Sequence, residues 1–150
     1  MLRTGMCLVV LAVIVGCGGA APAKPLPKTA PAVGVITLDG NPLPFATVMF
    51  APRGATKGIE CVGVTDETGK YTLTQTRGGE GVPPGEYTVV VSRYVKGDGT
   101  PIRLDPKEPP ANQGAVESLP PQYSSSIDSI LVATVPEAGG EFKFDLKSRQ

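Results

Sequence analysis

The segment Glu141-Phe142-Lys143-Phe144-Asp145-Leu146-Lys147 alternates charged and apolar side chains without interruption. Successive side chains of a β-strand point to opposite faces of the sheet, so this pattern indicates a strand with one buried and one solvated face. The alternation does not fit the 3.6-residue period of a helix. The segment is therefore expected to form a strand of a half-buried sheet.

Similar apolar runs recur upstream of this segment, separated by turn signals. In two of them the second face is also partly apolar. The residues predicted to point inward are Val48, Phe50, Tyr87, Val89, Val91, Phe142, Phe144 and Leu146. Strands are predicted at approximately 33–38, 45–51, 59–65, 70–76, 86–94, 130–135 and 141–147. The predicted fold class is all-β, a seven-stranded antiparallel β-sandwich.

The composition limits the class of function. The 150 residues include 19 Gly and 16 Pro, which favours strands joined by tight turns. Lys and Arg together number 14, as do Asp and Glu, so no basic field is available to attract nucleic acid. The sequence contains no His, which removes the commonest general base and the commonest zinc ligand. We therefore expect a protein that is not an enzyme and has no cofactor, metal or nucleic-acid partner.

The segment Asp66-Glu67-Thr68-Gly69 has two possible interpretations, a tight turn or a calcium-binding loop. Asp at its first position can accept hydrogen bonds from backbone N–H groups, and Gly at its fourth position suits a type I turn. Calcium binding is the alternative, but one loop with few carboxylates makes a weak calcium site. Turn formation is the preferred interpretation.

The amino-terminal part reads as a targeting segment followed by a tether. Arg3 precedes an apolar run at 6–15, which suits a signal-peptide core and is too short to span a bilayer. Residues 17–32 are rich in Pro and Ala and are expected to be extended. The predicted organisation is a signal peptide at 1–16, a flexible tether at 17–32 and a folded domain at 33–150.

The segment Ile14-Val15-Gly16-Cys17 resembles the lipobox of bacterial lipoproteins. The resemblance implies that Cys17 receives a diacylglycerol, becomes the first residue after cleavage and gains an amide-linked acyl chain such as palmitate. Two or more chains anchor a protein stably to a membrane. The alternative is an ordinary cleaved secretory peptide with an incidental cysteine. With Cys7 lost and Cys17 acylated, Cys61 remains alone and is expected to be a small buried side chain without a disulfide.

The order of several motifs resembles the carboxypeptidase-regulatory-like domain. The motifs are VITLDGNPLP at 35–44, ATVMF at 46–50, TDETGKY at 65–71 and PGEYTVVV at 84–91. The resemblance covers residues 33–94 and implies a transthyretin-like or prealbumin-like sandwich. Beyond it, LPPQYS at 119–124 and the last two strands look like the variant found in many bacterial surface lipoproteins. A sandwich scaffold by itself implies no activity.

Residues 95–129 are predicted to be one long loop, and connections of this length are uncommon in compact domains. One interpretation is that the loop covers a sheet edge and blocks edge pairing. The other is a recognition loop, with Tyr94 and Tyr123 as the candidate contact residues.

These observations favour a non-enzymatic, membrane-anchored envelope lipoprotein that faces away from the cytoplasm. Its sandwich would be a binding or spacer module, with the membrane and an envelope protein or polysaccharide as partners.

Carbohydrate recognition on a sheet face is an alternative, although it normally needs flat aromatic platforms and the chain has no Trp. Transthyretin-like hydrolases of purine breakdown rely on histidines, so that role does not transfer. A Ser-Lys hydrolase built from residues 124–126 with Lys96 or Lys107 is the remaining enzymatic alternative. The ligand, the membrane leaflet and the oligomeric state are left open.

Overall fold

The computed structural model of the protein describes residues 28–105 and 107–148. The predicted signal peptide, the lipidated Cys17 and most of the tether lie outside these residues. The described residues form β-strands with very little helix, which confirms the all-β fold class. The strands are β1 (Ala32–Leu38), β2 (Asn41–Pro42), β3 (Thr47–Pro52), β4 (Cys61–Val64), β5 (Lys70–Thr72), β6 (Thr74–Gln75), β7 (Gly85–Ser92), β8 (Tyr94–Val95), β9 (Val116–Glu117), β10 (Leu131–Val135) and β11 (Gly140–Leu146). A 3-10 helix spans Pro110–Gln113, and a short helix α1 spans Pro121–Ser124.

Each of the seven predicted strands coincides with at least one strand of the structure. The run predicted at 70–76 is divided between β5 and β6, which join different sheets. A five-stranded sheet has the order β10-β7-β3-β4-β6 and is antiparallel throughout. A second sheet has the order β11-β1-β2, with β5 also paired to β1, and β8 and β9 form a separate ribbon.

One pair of strands departs from the predicted antiparallel arrangement. Strands β1 and β11 are parallel, and their register runs from Ala32 beside Gly140 to Leu38 beside Leu146. A tight hairpin forces neighbouring strands to be antiparallel. Strand β11 instead reaches β1 after the chain leaves β10 in the other sheet, so no hairpin constrains this pair.

The two larger sheets share one hydrophobic core. The ring of Phe50 lies 5.6 Å from that of Phe142 and 6.5 Å from that of Phe144, centroid to centroid, which joins β3 to β11 across the sheets. Of the predicted inward residues, six are fully buried: Val48, Phe50, Tyr87, Val89, Val91 and Leu146. Phe142 and Phe144 are half-buried and pack against this core, because β11 lies at the edge of its sheet. A buried side chain of this size stabilises the fold by about 1.5–3 kcal/mol.

The domain has two distinct ends. At the end called here the entry end, Ala30 exchanges two 2.9 Å backbone hydrogen bonds with Val82, and the Pro31 carbonyl accepts one from Gly140. At the opposite end, called the far end, the Asp39 N–H donates to the Leu146 carbonyl at 2.9 Å. Strand β7 runs from the entry end to the far end, a distance of about 25 Å at about 3.3 Å per residue.

The folded part begins earlier than the predicted boundary at residue 33. Ala30 and Ala32, assigned by sequence to the tether, are buried. Their side chains are too small to produce a hydrophobic pattern. Their burial follows from main-chain pairing with residues that are distant in the sequence.

Candidate functional site

The connection from β7 to β10 lies mainly at the far end and contains elements that the single-loop prediction missed. Tyr94 and Val95 of β8 pair with Glu117 and Val116 of β9. The adjoining turn is closed by a hydrogen bond from the Lys96 N–H to the Thr100 carbonyl at 2.9 Å. The expectation of one loop over 95–129 is therefore wrong. Strand runs of two residues are too short for an alternation to reveal them.

The base of this ribbon is held by one carboxylate. Oε1 of Glu117 accepts hydrogen bonds from the Arg93 N–H at 3.0 Å and the Leu119 N–H at 2.9 Å. The Ser118 hydroxyl donates to the Arg93 carbonyl at 2.7 Å. Oε2 of Glu117 and Nε of Arg93 are buried and have no hydrogen-bond partner among the described residues. The hydrogen bonds of Glu117 and Ser118 to the backbone of Arg93 fix the ribbon to the end of β7.

A single amide organises the proline-rich part of the connection. Oε1 of Gln113 accepts from the Asp105 N–H at 2.9 Å, and Nε2 of Gln113 donates to the Asp105 carbonyl at 3.1 Å and the Glu108 carbonyl at 2.8 Å. The connection is thus folded on itself by side-chain contacts in addition to the ribbon. It presents a defined surface at the far end.

The two candidate contact residues, Tyr94 and Tyr123, have different environments. Tyr94 is half-buried in β8. Tyr123 is only 6 % exposed and belongs to the core cluster, where its hydroxyl accepts a hydrogen bond from the Lys147 N–H at 3.3 Å. Its ring is therefore not a surface contact, and α1 joins β7 to the end of β11. Helix α1 begins at Pro121, a residue favoured at the first helical position.

The structure does not bring the two tyrosines together as an aromatic surface. Among the described residues, the aromatic ring pairs all involve Phe50 in the core. Tyr71 and Tyr87 are also buried. The described part of the chain therefore does not form the flat aromatic platform that carbohydrate recognition on a sheet normally uses.

Two of the three serines of the hydrolase alternative, Ser124 and Ser125, are engaged in local hydrogen bonds, and Ser126 is exposed. The Ser124 hydroxyl donates to the Pro120 carbonyl at 3.1 Å, and the Ser125 hydroxyl donates to Oδ2 of Asp128 at 2.8 Å. Neither hydroxyl is hydrogen-bonded to Lys96 or Lys107. Activation of a serine needs an adjacent base within hydrogen-bond reach. The described geometry therefore does not assemble a Ser-Lys pair.

The outward side of four strands of the five-stranded sheet carries six apolar residues and one charged residue, and we call it the aliphatic face. Its rows follow from the strand register: Met49 lies between Val62 and Val90, and Thr88 lies between its neighbours on β3 and β10. The outward residues of β3, β4, β7 and β10 are Thr47, Met49, Ala51, Val62, Val64, Glu86, Thr88, Val90, Ser92, Val132 and Thr134. Only Glu86 among them is charged. The solvated face of an antiparallel sheet is commonly polar, so this face departs from the usual pattern.

A shallow cleft of ≈ 470 Å³ lies at the entry end. Its lining residues are Thr29, Ala30, Pro31, Ala32, Thr72, Leu73, Thr74, Glu80 and Gly81. Glu80 is the only charged residue among them. The lining lacks a pair of groups that could act as acid and base together, so the cleft offers no catalytic arrangement.

The carboxylate of Asp66 closes a turn, and the same contacts shift its pKa. Hydrogen bonds from Thr68 and Lys70 lower the pKa of Asp66 below its usual value. Oδ1 of Asp66 accepts from the Thr68 N–H and hydroxyl, both at 2.7 Å, and from the Lys70 N–H at 3.0 Å. This geometry confirms the turn interpretation. The described residues contain no group of three acidic or cysteine side chains arranged to hold a metal ion.

The thiol of Cys61 is buried, as the sequence predicted. Desolvation raises its pKa to about 11. A thiol is nucleophilic as the thiolate, so this burial keeps Cys61 unreactive at neutral pH.

Comparison with known proteins adds little to this geometry. No protein-family model matches the chain, and no curated protein matches it. A crystal structure of a 9R-lipoxygenase from Cyanothece PCC8801 is similar over 85 % of this chain and 17 % of its own, with 15 % sequence identity and a TM-score of 0.33. That similarity is too low to support an argument. No helix among the described residues is long and apolar enough to cross a membrane.

Proposed function

We propose that this protein is a non-enzymatic lipoprotein of the bacterial envelope, held at a membrane by lipid on Cys17. Its domain acts as a binding or spacer module outside the cytoplasm. We further propose that its seven longer strand regions form a transthyretin-like sandwich of the carboxypeptidase-regulatory-like type. Support for the anchor comes from the Ile14-Val15-Gly16-Cys17 segment after an apolar run.

The observation that carries the proposal is the separation of the two ends of the domain. The chain enters beside Val82 at the entry end, whereas Glu117 and α1 belong to the far end. Strand β7 alone separates the ends by about 25 Å. Residues 18–29 could add up to about 40 Å if fully extended, at about 3.3–3.6 Å per residue. An anchor on Cys17 would therefore present the far end away from the lipid.

The non-enzymatic part of the proposal rests on the side chains available. The sequence has no His. Ser124 and Ser125 are hydrogen-bonded within their own turn, and the only other cysteine expected in the mature chain, Cys61, is buried. A domain that binds a partner, or that keeps a partner away from the membrane as a spacer, needs none of these reactive groups.

Metabolic labelling tests the anchor. Cells of a bacterial host that express the full chain are labelled with a palmitate analogue, and the purified protein is analysed by mass spectrometry of its amino terminus. We expect label on the wild-type chain and none on Cys17→Ser. The matched control is Cys7→Ser, which changes the same residue type within the predicted signal peptide and is expected to keep the label. An unlabelled wild-type chain that retains residues 1–16 would refute the proposal.

A further inference from the structure

The aliphatic face exposes apolar area that a monomer would leave in water. Val132 is 56 % exposed and Val64 is 42 % exposed, and Met49 and Val62 between them are half-buried. By contrast, the outward residues of β11 are charged: Glu141, Lys143 and Asp145. Contiguous exposed apolar patches commonly mark interaction surfaces.

We infer that the aliphatic face is the contact surface between two copies of this chain. In this arrangement the two five-stranded sheets stack face to face about a two-fold axis that is parallel to the strands between β7 and β3. The inference rests on the proposed anchoring at Cys17. Sheets stacked in this way keep their strand directions close to one another, as in aligned sheet packing.

The position of the amino-terminal segment selects this axis. Residues 1–27 precede the entry end of each copy. A two-fold axis parallel to the strands places both entry ends on the same side, so both tethers can reach one membrane. Antiparallel pairing of two β10 edges would place the entry ends on opposite sides, about 25 Å apart.

The charges at the margin of the face are complementary under the same axis. Glu86 is exposed on β7, and the exposed Arg53 follows β3 and donates its N–H to the Glu86 carbonyl at 3.0 Å. An axis between β7 and β3 puts β7 of one copy over β3 of the other. Glu86 of each copy then faces Arg53 of the other copy. Met49 lies over Val90, which is only 5 % exposed in the single chain and therefore adds little to the contact. The aliphatic faces of the two copies are therefore complementary in polarity and in charge.

The area of the contact sets its strength. Four strands at about 4.8 Å and three outward rows at about 6.7 Å cover about 400 Å² per copy. A standard stable interface buries about 800 Å² per partner. The dimer is therefore expected to be weak in dilute solution. Confinement of two tethered copies at one membrane provides an effective concentration that can reach the millimolar range and favours association.

Thiol cross-linking in membranes tests this contact. Because the stacked sheets lie about 10 Å apart and Met49 lies one strand, about 4.8 Å, to the side of its copy, the two Cα atoms of residue 49 are about 11 Å apart, which is too far for a disulfide. The full chain is expressed in a bacterial host as Met49→Cys, the membranes are treated with a bis-maleimide cross-linker that spans this gap, and the covalent dimer is measured on a denaturing gel. The matched control is Val33→Cys, because Val33 is 41 % exposed on β1 of the other sheet. We expect roughly tenfold more dimer for Met49→Cys than for Val33→Cys, since only the former brings two thiols together under confinement. The chain without an added cysteine provides the baseline for Cys61, whose thiol is free but buried.

A charge exchange makes the test specific for the proposed axis. In the Met49→Cys background, Glu86→Arg is expected to reduce the yield severalfold, and addition of Arg53→Glu is expected to restore it. Both positions are exposed, so the variants are expected to fold. Equal yields for Met49→Cys and Val33→Cys, a Met49→Cys product with a different protein, or no rescue by the double exchange would each overturn the inference.

The failure of the anchor can be separated from the failure of the dimer. If the wild-type chain proves to carry no lipid, the proposed function fails. The Met49→Cys and Val33→Cys comparison is then repeated on the Cys17→Ser chain at millimolar concentration, where the same excess of dimer is expected. Its absence there would refute the dimer independently.

Discussion

Thr65 is the buried polar residue from which the strongest effect on stability is expected. Its side chain is 1 % exposed at the far end. The hydroxyl donates to the Leu43 carbonyl at 2.7 Å and accepts from the Ala46 N–H at 2.8 Å. These bonds hold a turn in which Phe45 has a φ of 58°, in the left-handed region that costs a non-glycine residue about 1–2 kcal/mol. Thr65 therefore stabilises a strained turn before β3.

Substitution Thr65→Val keeps the shape of the side chain and removes both hydrogen bonds. A buried donor or acceptor left without a partner costs about 1–3 kcal/mol, so two such groups should cost about 3 kcal/mol together. With a urea m-value of about 1.5 kcal/mol/M, the unfolding midpoint should fall by about 2 M. The chain has no Trp, so urea unfolding would be followed by circular dichroism.

Two further variants separate the hydrogen bonds from other effects. Thr65→Ser retains the hydroxyl and loses one methyl group, which should cost about 1 kcal/mol. Thr47→Val makes the same change as Thr65→Val at an exposed position of β3, where an effect within about 0.5 kcal/mol is expected. If Thr65→Val were no more destabilising than Thr47→Val, the role assigned to the hydroxyl would be refuted.

Two other perturbations test local features of the fold. The pKa of Asp66 is lowered in the folded state, so its contribution to stability is present above its unfolded pKa of about 4 and is lost as the pH falls through the folded pKa. Asp66→Asn should therefore lower the urea midpoint at pH 7 and flatten its decline towards pH 3, whereas Glu67→Gln should behave like the wild type; an unchanged pH profile for Asp66→Asn would contradict this expectation. A Cβ atom on Gly34 would overlap the Phe142 carbonyl oxygen, while one on Gly97 would meet no atom within 4 Å. Gly34→Ala should therefore lower the thermal midpoint strongly and Gly97→Ala should leave it near the wild-type value, and similar midpoints for both would disprove the close packing of β1 on β11.

Local pattern was sufficient to place the longer strands and part of the core. Phe50 and Tyr87 alternate with outward residues in the sequence and are buried in the structure. The Asp66 turn could also be predicted from the sequence, because its hydrogen bonds join residues no more than four positions apart. The far-end ribbon and α1 could not be predicted in this way, because β8 and β9 have two residues each and α1 has four, so no period is repeated.

The sequence by itself determined that this chain forms strands with alternating faces, because that alternation is a local property of consecutive residues. Only the tertiary structure decided which strands pair. The Tyr71 hydroxyl donates to the Phe142 carbonyl at 2.9 Å, and Ala30 pairs with Val82, across long separations in the chain. Burial of Tyr123 and the parallel pairing of β1 with β11 depend on the same kind of distant contact. Such contacts are selected by the packing of the whole core, which no short window of residues contains.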